Sequence, residues 1–286
     1  MNINRKLILA FIFILIICVS NNIFAGGWTK KKGKFYIQLS SQYMSSSKFH
    51  DINGTLVKIN TLSDFTLSLY TEYGITDNLS LVAYLPFYHR LALNKIQGSG
   101  SGTVYFPGAV KNGISDSDIG IKYKLAEEGQ SVLSAGFSLG IPFGDSNDSN
   151  GLLTGDDEFN QKINLQFGHS FYPLPIYFSA FAGYNFRHKG YTDEFNFGVE
   201  AGYIFGNKLL AIFRITGLKP LRNGDNTIAG GAGGLFSNKQ QYISYGPELL
   251  YSLTDNLGIT AGVNSGTWAR NVLSAYVYRI GIYIQN

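Results

Sequence analysis

Apolar and polar residues alternate strictly over ten or more positions in segment after segment of this sequence. From Phe35, one face reads Phe35, Ile37, Leu39, Tyr43 and the other Tyr36, Gln38, Ser40, Gln42. Phe65, Leu67, Leu69, Tyr73 alternate with Asp64, Thr66, Ser68, Glu72. The same holds for Ile119 to Leu125, for Ile163 to Phe171 and for Phe195 to Phe205. A period of two belongs to strands, because successive side chains point to opposite faces. Strands in globular sheets average about 5–6 residues, whereas a tilted strand crossing a bilayer needs about 9–11. The length therefore points to a membrane. Within a bilayer only helices and closed barrels satisfy every backbone group, and the sequence has no apolar run of 18 residues.

Composition agrees. Charged residues make up 15%, against about 25% in soluble domains. Gly reaches 34, Tyr 19 and Phe 21, yet mean hydropathy is only +0.02. A wall with one face to lipid and one to water averages to such a value. Net charge is +4, of which Arg5 and Lys6 supply two. No basic block argues for nucleic acid, and Lys30-Lys31-Lys32 reads as a solvated N-terminal arm.

The longest apolar run, Leu7 to Val19, follows Arg5-Lys6 and precedes Ile23-Phe24-Ala25. This is the layout of a secretory signal peptide. We expect 1–25 to be removed after Ala25, leaving 26–286 as the barrel. Leu15-Ile16-Ile17-Cys18 has the outline of a lipidation site, but Ile17 is bulky where such sites need Gly or Ala. Cleavage at Ala25 leaves no cysteine, hence no disulfide.

The fold expected is all-β, a transmembrane antiparallel up-and-down barrel of about twelve strands. They fall near 34–44, 62–74, 79–89, 117–126, 130–142, 160–171, 176–187, 194–205, 209–218, 240–253, 257–266 and 271–284. Short links such as Thr76-Asp77-Asn78 and Gly206-Asn207-Lys208 alternate with long ones at 45–61, 90–116, 143–159 and 219–239. Short periplasmic turns, long outer loops and an even strand count are the outer-membrane pattern. A three-residue Thr-Asp-Asn loop would place Asn at positive φ and pair Ile75 with Leu79, and likewise Leu253 with Leu257. A three-residue loop at 206–208 pairs Phe205 with Leu209 and sets Glu200 opposite Arg214 on the lumen face. One residue of slip would throw that pair onto opposite faces. The chain ends Tyr283-Ile284-Gln285-Asn286, without the terminal aromatic that barrel precursors usually present to the assembly machinery.

Three stretches carry motifs. Glu72 to Leu81 with Leu85-Pro86 resembles the early hairpin of the outer-membrane family named for the MetA pathway of phenol degradation. Ile114 to Leu125 is similar to that family's G-D-x-x-x-G-x-K-Y strand, and Ile141 to Asp145 with Gly151 to Asp156 to its P-T-G-D … G-T-G loop. The sequence departs from that loop at Phe143 and Leu153. The resemblance runs from about Gly27 to the end. It implies a barrel, transport of small and often aromatic compounds, and no catalytic residue.

Little in the sequence looks catalytic. His169 and Ser170 are adjacent on a strand, so they point to opposite faces and cannot share a site. His50, His89 and His188 stand at loop edges without metal-ligand spacing. Gly98 to Gly102 and Gly230 to Gly234 lack the Lys and helix of a phosphate cradle. Asp145, Asn147, Ser149 and Asp156 follow a calcium-loop-like spacing, but Asn150 stands where Gly belongs. A solvated acidic outer loop is the simpler reading, and no metal or cofactor is expected.

The lumen is the expected functional surface. Its charged and amide residues are Glu72, Lys122, Lys124, Lys162, Gln166, Arg187, Glu200, Arg214, Glu248 and Arg279, joined by Tyr36, Tyr70, Tyr84 and Tyr177. Basic residues outnumber acidic ones there, 6 to 3, which would favour anions. Eight strands are filled by side chains and sixteen leave a channel, so twelve is consistent with a narrow pore. The expected function is an outer-membrane channel for small solutes, aromatic or anionic, whose partners are lipid, the barrel assembly machinery and the solute. The alternative is a closed structural barrel whose outer loops bind a partner.

Overall fold

The computed structural model describes residues 26–225 and 230–286. The expected signal peptide, with Cys18 and the cleavage point after Ala25, lies outside the described residues.

Twelve strands form the wall: β1 Phe35–His50, β2 Leu56–Thr76, β3 Leu79–Leu93, β4 Ser117–Glu128, β5 Ser131–Ile141, β6 Asn160–Ser170, β7 Ile176–Phe186, β8 Glu194–Phe205, β9 Leu209–Pro220, β10 Gln241–Ser252, β11 Leu257–Arg270 and β12 Val277–Gln285. Each pairs antiparallel with its sequence neighbours, and β12 pairs with β1 from Met44↔Val277 to Tyr36↔Gln285. The sheet therefore closes and has no edge, as the bilayer requires. At the seam the Phe35 N–H donates to the Asn286 side-chain oxygen at 2.7 Å.

The strand count and most boundaries agree with the expectation. Three differences have local causes. β1 and β2 run on through 45–50 and 56–61, leaving only 51–55 as loop; the Ser-rich residues there are paired, and the Ser45 and Ser63 hydroxyls bond at 2.9 Å. β12 starts at Val277 rather than 271, because Asn271 takes a positive φ and Val272–Leu273 pairs with Phe49–His50 instead. The loop after β3 holds a short hairpin, Ile96–Gln97 with Val104–Phe106, and a segment Ala109–Gly113 that extends the sheet along β3.

The turns hold register by a different device from the one expected. Thr76, not Ile75, faces Leu79, with Ile75 bulged; the expected pairing holds from Gly74 to Leu69 and shifts by one residue beyond it. Neither Asn78 nor Asn256 takes a positive φ. Instead Thr76 and Thr254 hydroxyls accept the N–H of Asn78 and Asn256 at 3.2 and 3.3 Å, a Ser/Thr-turn cap. The Leu253 N–H donates to the Leu257 carbonyl at 2.8 Å, as expected. Phe205 pairs with Leu209 and Glu200 with Arg214, with Gly206 supplying the positive φ.

The two faces separate as the alternation implied. Leu39, Ile121, Leu165, Phe213 and Ile280 point outward and are exposed. Tyr73, Tyr123, Phe171, Tyr203, Phe205 and Tyr251 ring the short-turn end, where an aromatic girdle meets the membrane interface. A closed twelve-strand ring with an apolar outer face is a transmembrane β-barrel of the outer-membrane kind.

Leu165 lies mid-strand and is 54% exposed. Leu165→Arg is expected to lower unfolding stability in lipid vesicles by about 2–4 kcal/mol. Gln166→Arg, one residue along and facing the lumen, should change it much less. Urea titration of both variants checks this, and the opposite order would mean the faces are reversed.

Candidate functional site

The lumen begins with the chain's own N-terminal segment. Lys31 and Lys32 are solvated as expected, but Gly26 to Lys30 turn into the barrel rather than away from it. Gly33 and the turn at Asp77 anchor the fold-back, through the Gly33 N–H to Gly74 O at 2.8 Å and the Lys32 N–H to Asp77 Oδ1 at 2.9 Å. Above them the Lys30 N–H donates to Ser80 Oγ at 2.8 Å, and the Lys30 ammonium sits 5.3 Å over the Tyr36 ring. Trp28 packs against Gly168, where an added Cβ would come within 2.5 Å of the indole, and meets Tyr177 edge-on at 6.2 Å. The Lys122 ammonium donates to Gly26 O at 3.2 Å, and Ser134 donates to Gly27 O. A solvated arm would make none of these bonds.

Charges in the middle of the lumen are paired across strands. Arg214 Nε donates to Glu200 Oε2 at 2.7 Å and its Nη1 to Glu248 Oε2 at 3.0 Å. Tyr177 donates its hydroxyl to the other Glu200 oxygen at 3.1 Å. Lys122 meets Glu72 at 2.9 Å, and Lys162 meets Asp118 at 2.7 Å. The basic excess counted from the sequence does not survive these pairings. Lys124 stands at the periplasmic rim with Glu127, and Arg187 belongs to the outer loops. Asp118 and Asp64 add acidic charge inside. Arg279 alone of the expected lumen cations has only an amide partner among the described residues, Gln42 Oε1 at 3.0 Å.

Part of the inner face is apolar, which alternation alone did not reveal. Leu210, Ile212, Leu250, Tyr177 and Tyr283 form a buried cluster with Trp28 and Tyr36. The signal was present in Leu209 to Ile212, a run apolar on both faces, the mark of a strand covered on both sides. A second cluster joins Leu62, Leu91, Leu152 and Leu235 beneath the outer mouth. It exists because Pro86-Phe87 bulges against Ser68, which flips the faces of β3 beyond that point. The same flip carries His89 off the expected loop edge into the lumen, where its Nε2 meets Asp64 Oδ1 at 3.1 Å. His169, on the outer face, bonds Ser131 at 2.8 Å and not its neighbour Ser170.

At the outer rim Arg187 binds three carboxylates, Asp156, Glu158 and Glu194, each at 2.8 Å. The calcium-like spacing does not become a ligand set. Asp145 is taken by Lys111 at 2.6 Å and Asp156 by Arg187, and no metal-holding group of acidic, His or Cys residues occurs among the described residues. Burial, with Asp116 and Glu158 nearby and only Arg187 opposing, pushes Asp156 up to about 7; burial raises Glu158 as well.

Three chambers follow one another inside the wall. The innermost, about 400 Å³, is lined by Lys30, Glu72, Lys122, Gln166 and Glu248. The second, about 600 Å³, shares Gly26, Asn164, Gln166 and Arg214 with the first and adds Lys162 and Glu194. The third, about 550 Å³, meets the second at Tyr242 and lies under Leu235 and Phe236 of the inward-folded outer loop.

The family model described as "Putative MetA-pathway of phenol degradation" matches residues 55–279. The chain belongs to that family. Its fold is similar to that of the COG4313 outer membrane channel from Pseudomonas putida F1, at 14% identity and TM-score 0.68, covering 91% of this chain and 98% of that one. The translocator domain of the autotransporter NalP from Neisseria meningitidis is similar at 11% identity and TM-score 0.54, covering 98% and 96%. The NanC porin is similar at 12% and 0.51, covering 87% and 98%. No curated protein matches the chain.

Two outcomes follow from the charge clusters. Arg214→Met leaves Glu200 and Glu248 facing each other and should cost on the order of 3 kcal/mol. Adding Glu200→Gln and Glu248→Gln should recover most of it, read by chemical denaturation in micelles. Asp156 is held above its unfolded value, so its stability contribution is present in acid and lost as pH rises through about 7. The loop 142–159 should therefore resist protease better near about pH 5.5 than about pH 8.5, and Asp156→Asn should remove most of the difference.

Proposed function

We propose that this barrel is a non-enzymatic diffusion channel of the outer membrane for small solutes, aromatic or anionic ones included. The observation that carries the reading is the row of three chambers, each sharing wall residues with the next, from the periplasmic end to the outer mouth. Polar and charged groups line the row, and paired charges keep it wet without leaving a solute strongly held. The family description and the channel fold of the Pseudomonas putida relative support it. In this reading residues 1–25 direct export and are cleaved after Ala25, and the assembly machinery inserts the barrel into lipid. The mature protein purified from outer membranes then begins at Gly26 by mass.

The second reading, a closed barrel whose outer loops bind a partner, draws on the Gly26–Lys30 segment and the inward loop that fill much of the lumen. Single-channel recording in planar bilayers separates the two. The channel reading expects a small conductance for the whole protein and a several-fold larger one when residues 26–33 are deleted. Lys122→Glu should move ion selectivity toward cations, because it leaves Glu72 unneutralised. Silence from both the whole and the shortened barrel rejects the channel.

A further inference from the structure

The third chamber differs from the other two in how its cation is kept. In the inner two Lys122, Lys162 and Arg214 each touch a carboxylate, and Lys30 lies over the Tyr36 ring. Arg279 sits half-buried on β12, between Gln42 of β1 and Gly262 of β11, and makes no ion pair among the described residues. Its Nε is spent on Gln42, which leaves the paired terminal nitrogens of the guanidinium without a described partner. The chamber wall is mixed: Met44, Leu62, Leu235, Phe236, Leu273 and Val277 supply apolar surface, and its one carboxylate, Asp64, is taken by His89. The nearest acid, Glu248 across Gly262, is beyond ion-pair distance and already holds Arg214, and a half-buried guanidinium without a close counter-charge is costly. The planar fork of its N–H groups matches a carboxylate through two parallel bonds. A chamber of about 550 Å³ is within the usual range for small-molecule pockets.

We propose that this outer chamber is a binding site for monocarboxylates with a compact apolar body. The carboxylate pairs with Arg279, and the body lies against the Leu62, Leu235 and Phe236 wall. This assignment rests on the channel reading and names the solute class that its outer chamber retains. Tyr242, shared with the second chamber, stands on the path inward. The inward-folded loop is built to give the chamber its roof. Gln240 donates to Gly234 O at 2.6 Å, the Ala232 N–H to Gly151 O at 2.7 Å and Asn271 to Asn238 O at 3.1 Å.

The test uses the full-length mature barrel in detergent micelles and three probes: phenylacetate, its uncharged analogue 2-phenylethanol, and acetate, which has no apolar body. Binding is followed by saturation-transfer difference NMR. Phenylacetate should bind at least about tenfold more tightly than either comparator, as expected for a charge-assisted bond added to apolar burial. Arg279→Gln should weaken phenylacetate by about tenfold and leave 2-phenylethanol unchanged; Arg279→Lys should recover part of the loss. Equal affinity for phenylacetate and 2-phenylethanol in the wild-type barrel overturns the proposal and needs no variant to fold. So does an Arg279→Gln barrel, shown folded by its heat-modifiable migration, that still prefers phenylacetate. Conductance measured on the same preparations separates this from the channel reading. A conducting barrel that ignores phenylacetate sinks the site and leaves the channel standing. A silent barrel that binds it keeps the site and sinks the channel.

Discussion

Every feature of this molecule depends on one constraint: the bilayer offers no hydrogen bonds, so the backbone must satisfy all of its own. Twelve strands do so only as a closed ring, and the ring closes where β1 meets β12 over Tyr36 to Met44. Closure fixes which face each residue shows. Once Leu39, Leu165 and Ile280 are committed to lipid, their neighbours are committed to the lumen. The polar and charged groups then have nowhere else to go. A confined set of charges in a narrow space must be paired or wetted, and the Glu200–Arg214–Glu248 bridge and the Lys122–Glu72 pair are the consequence.

That constraint also explains what was legible in the sequence. Alternation follows directly from closure, so the strands and their faces could be read from it. Short turns set register, so the Glu200–Arg214 pairing could be read from a Gly-Asn-Lys link three residues long. The exact local device at Thr76-Asp77-Asn78 could not. A threonine hydroxyl caps the turn as well as a left-handed asparagine would, and both choices leave the same register from Gly74 to Leu69.

The lumen was less legible because side chains inside a barrel are arranged by neighbours far away in sequence. Lys124 and Arg187 have the parity of lumen residues, yet the first sits at a rim and the second is claimed by loop carboxylates. His89 changed face because a bulge at Pro86-Phe87, on the same strand, shifted the phase. Proline is a warning of such a bulge, since it cannot donate to the ladder. The fold-back of Gly26 to Lys30 had a fainter signal: two glycines and a tryptophan with no strand of their own. Only the bare backbone at Gly168, on a distant strand, makes room for that indole.

The filled inner half and the roofed outer half suggest how a barrel of this size manages its interior. Eight strands can be packed solid and sixteen left open, whereas twelve enclose more volume than the wall's own side chains fill. Here the surplus is divided. The N-terminal segment and the Leu210–Ile212–Tyr283 cluster take the periplasmic portion, and the 230–240 loop takes the outer one. What remains between them is a row of chambers of roughly similar size rather than one bore, so a solute passing through would meet successive environments. The outermost combines apolar wall with a guanidinium that has no ion pair among the described residues, and most cations of the inner two are paired with carboxylates. Selectivity would then be set toward the mouth, where Arg279 stands with only an amide partner among the described residues. In the inner chambers Lys122, Lys162 and Arg214 are already held by carboxylates and would bind a passing anion less firmly.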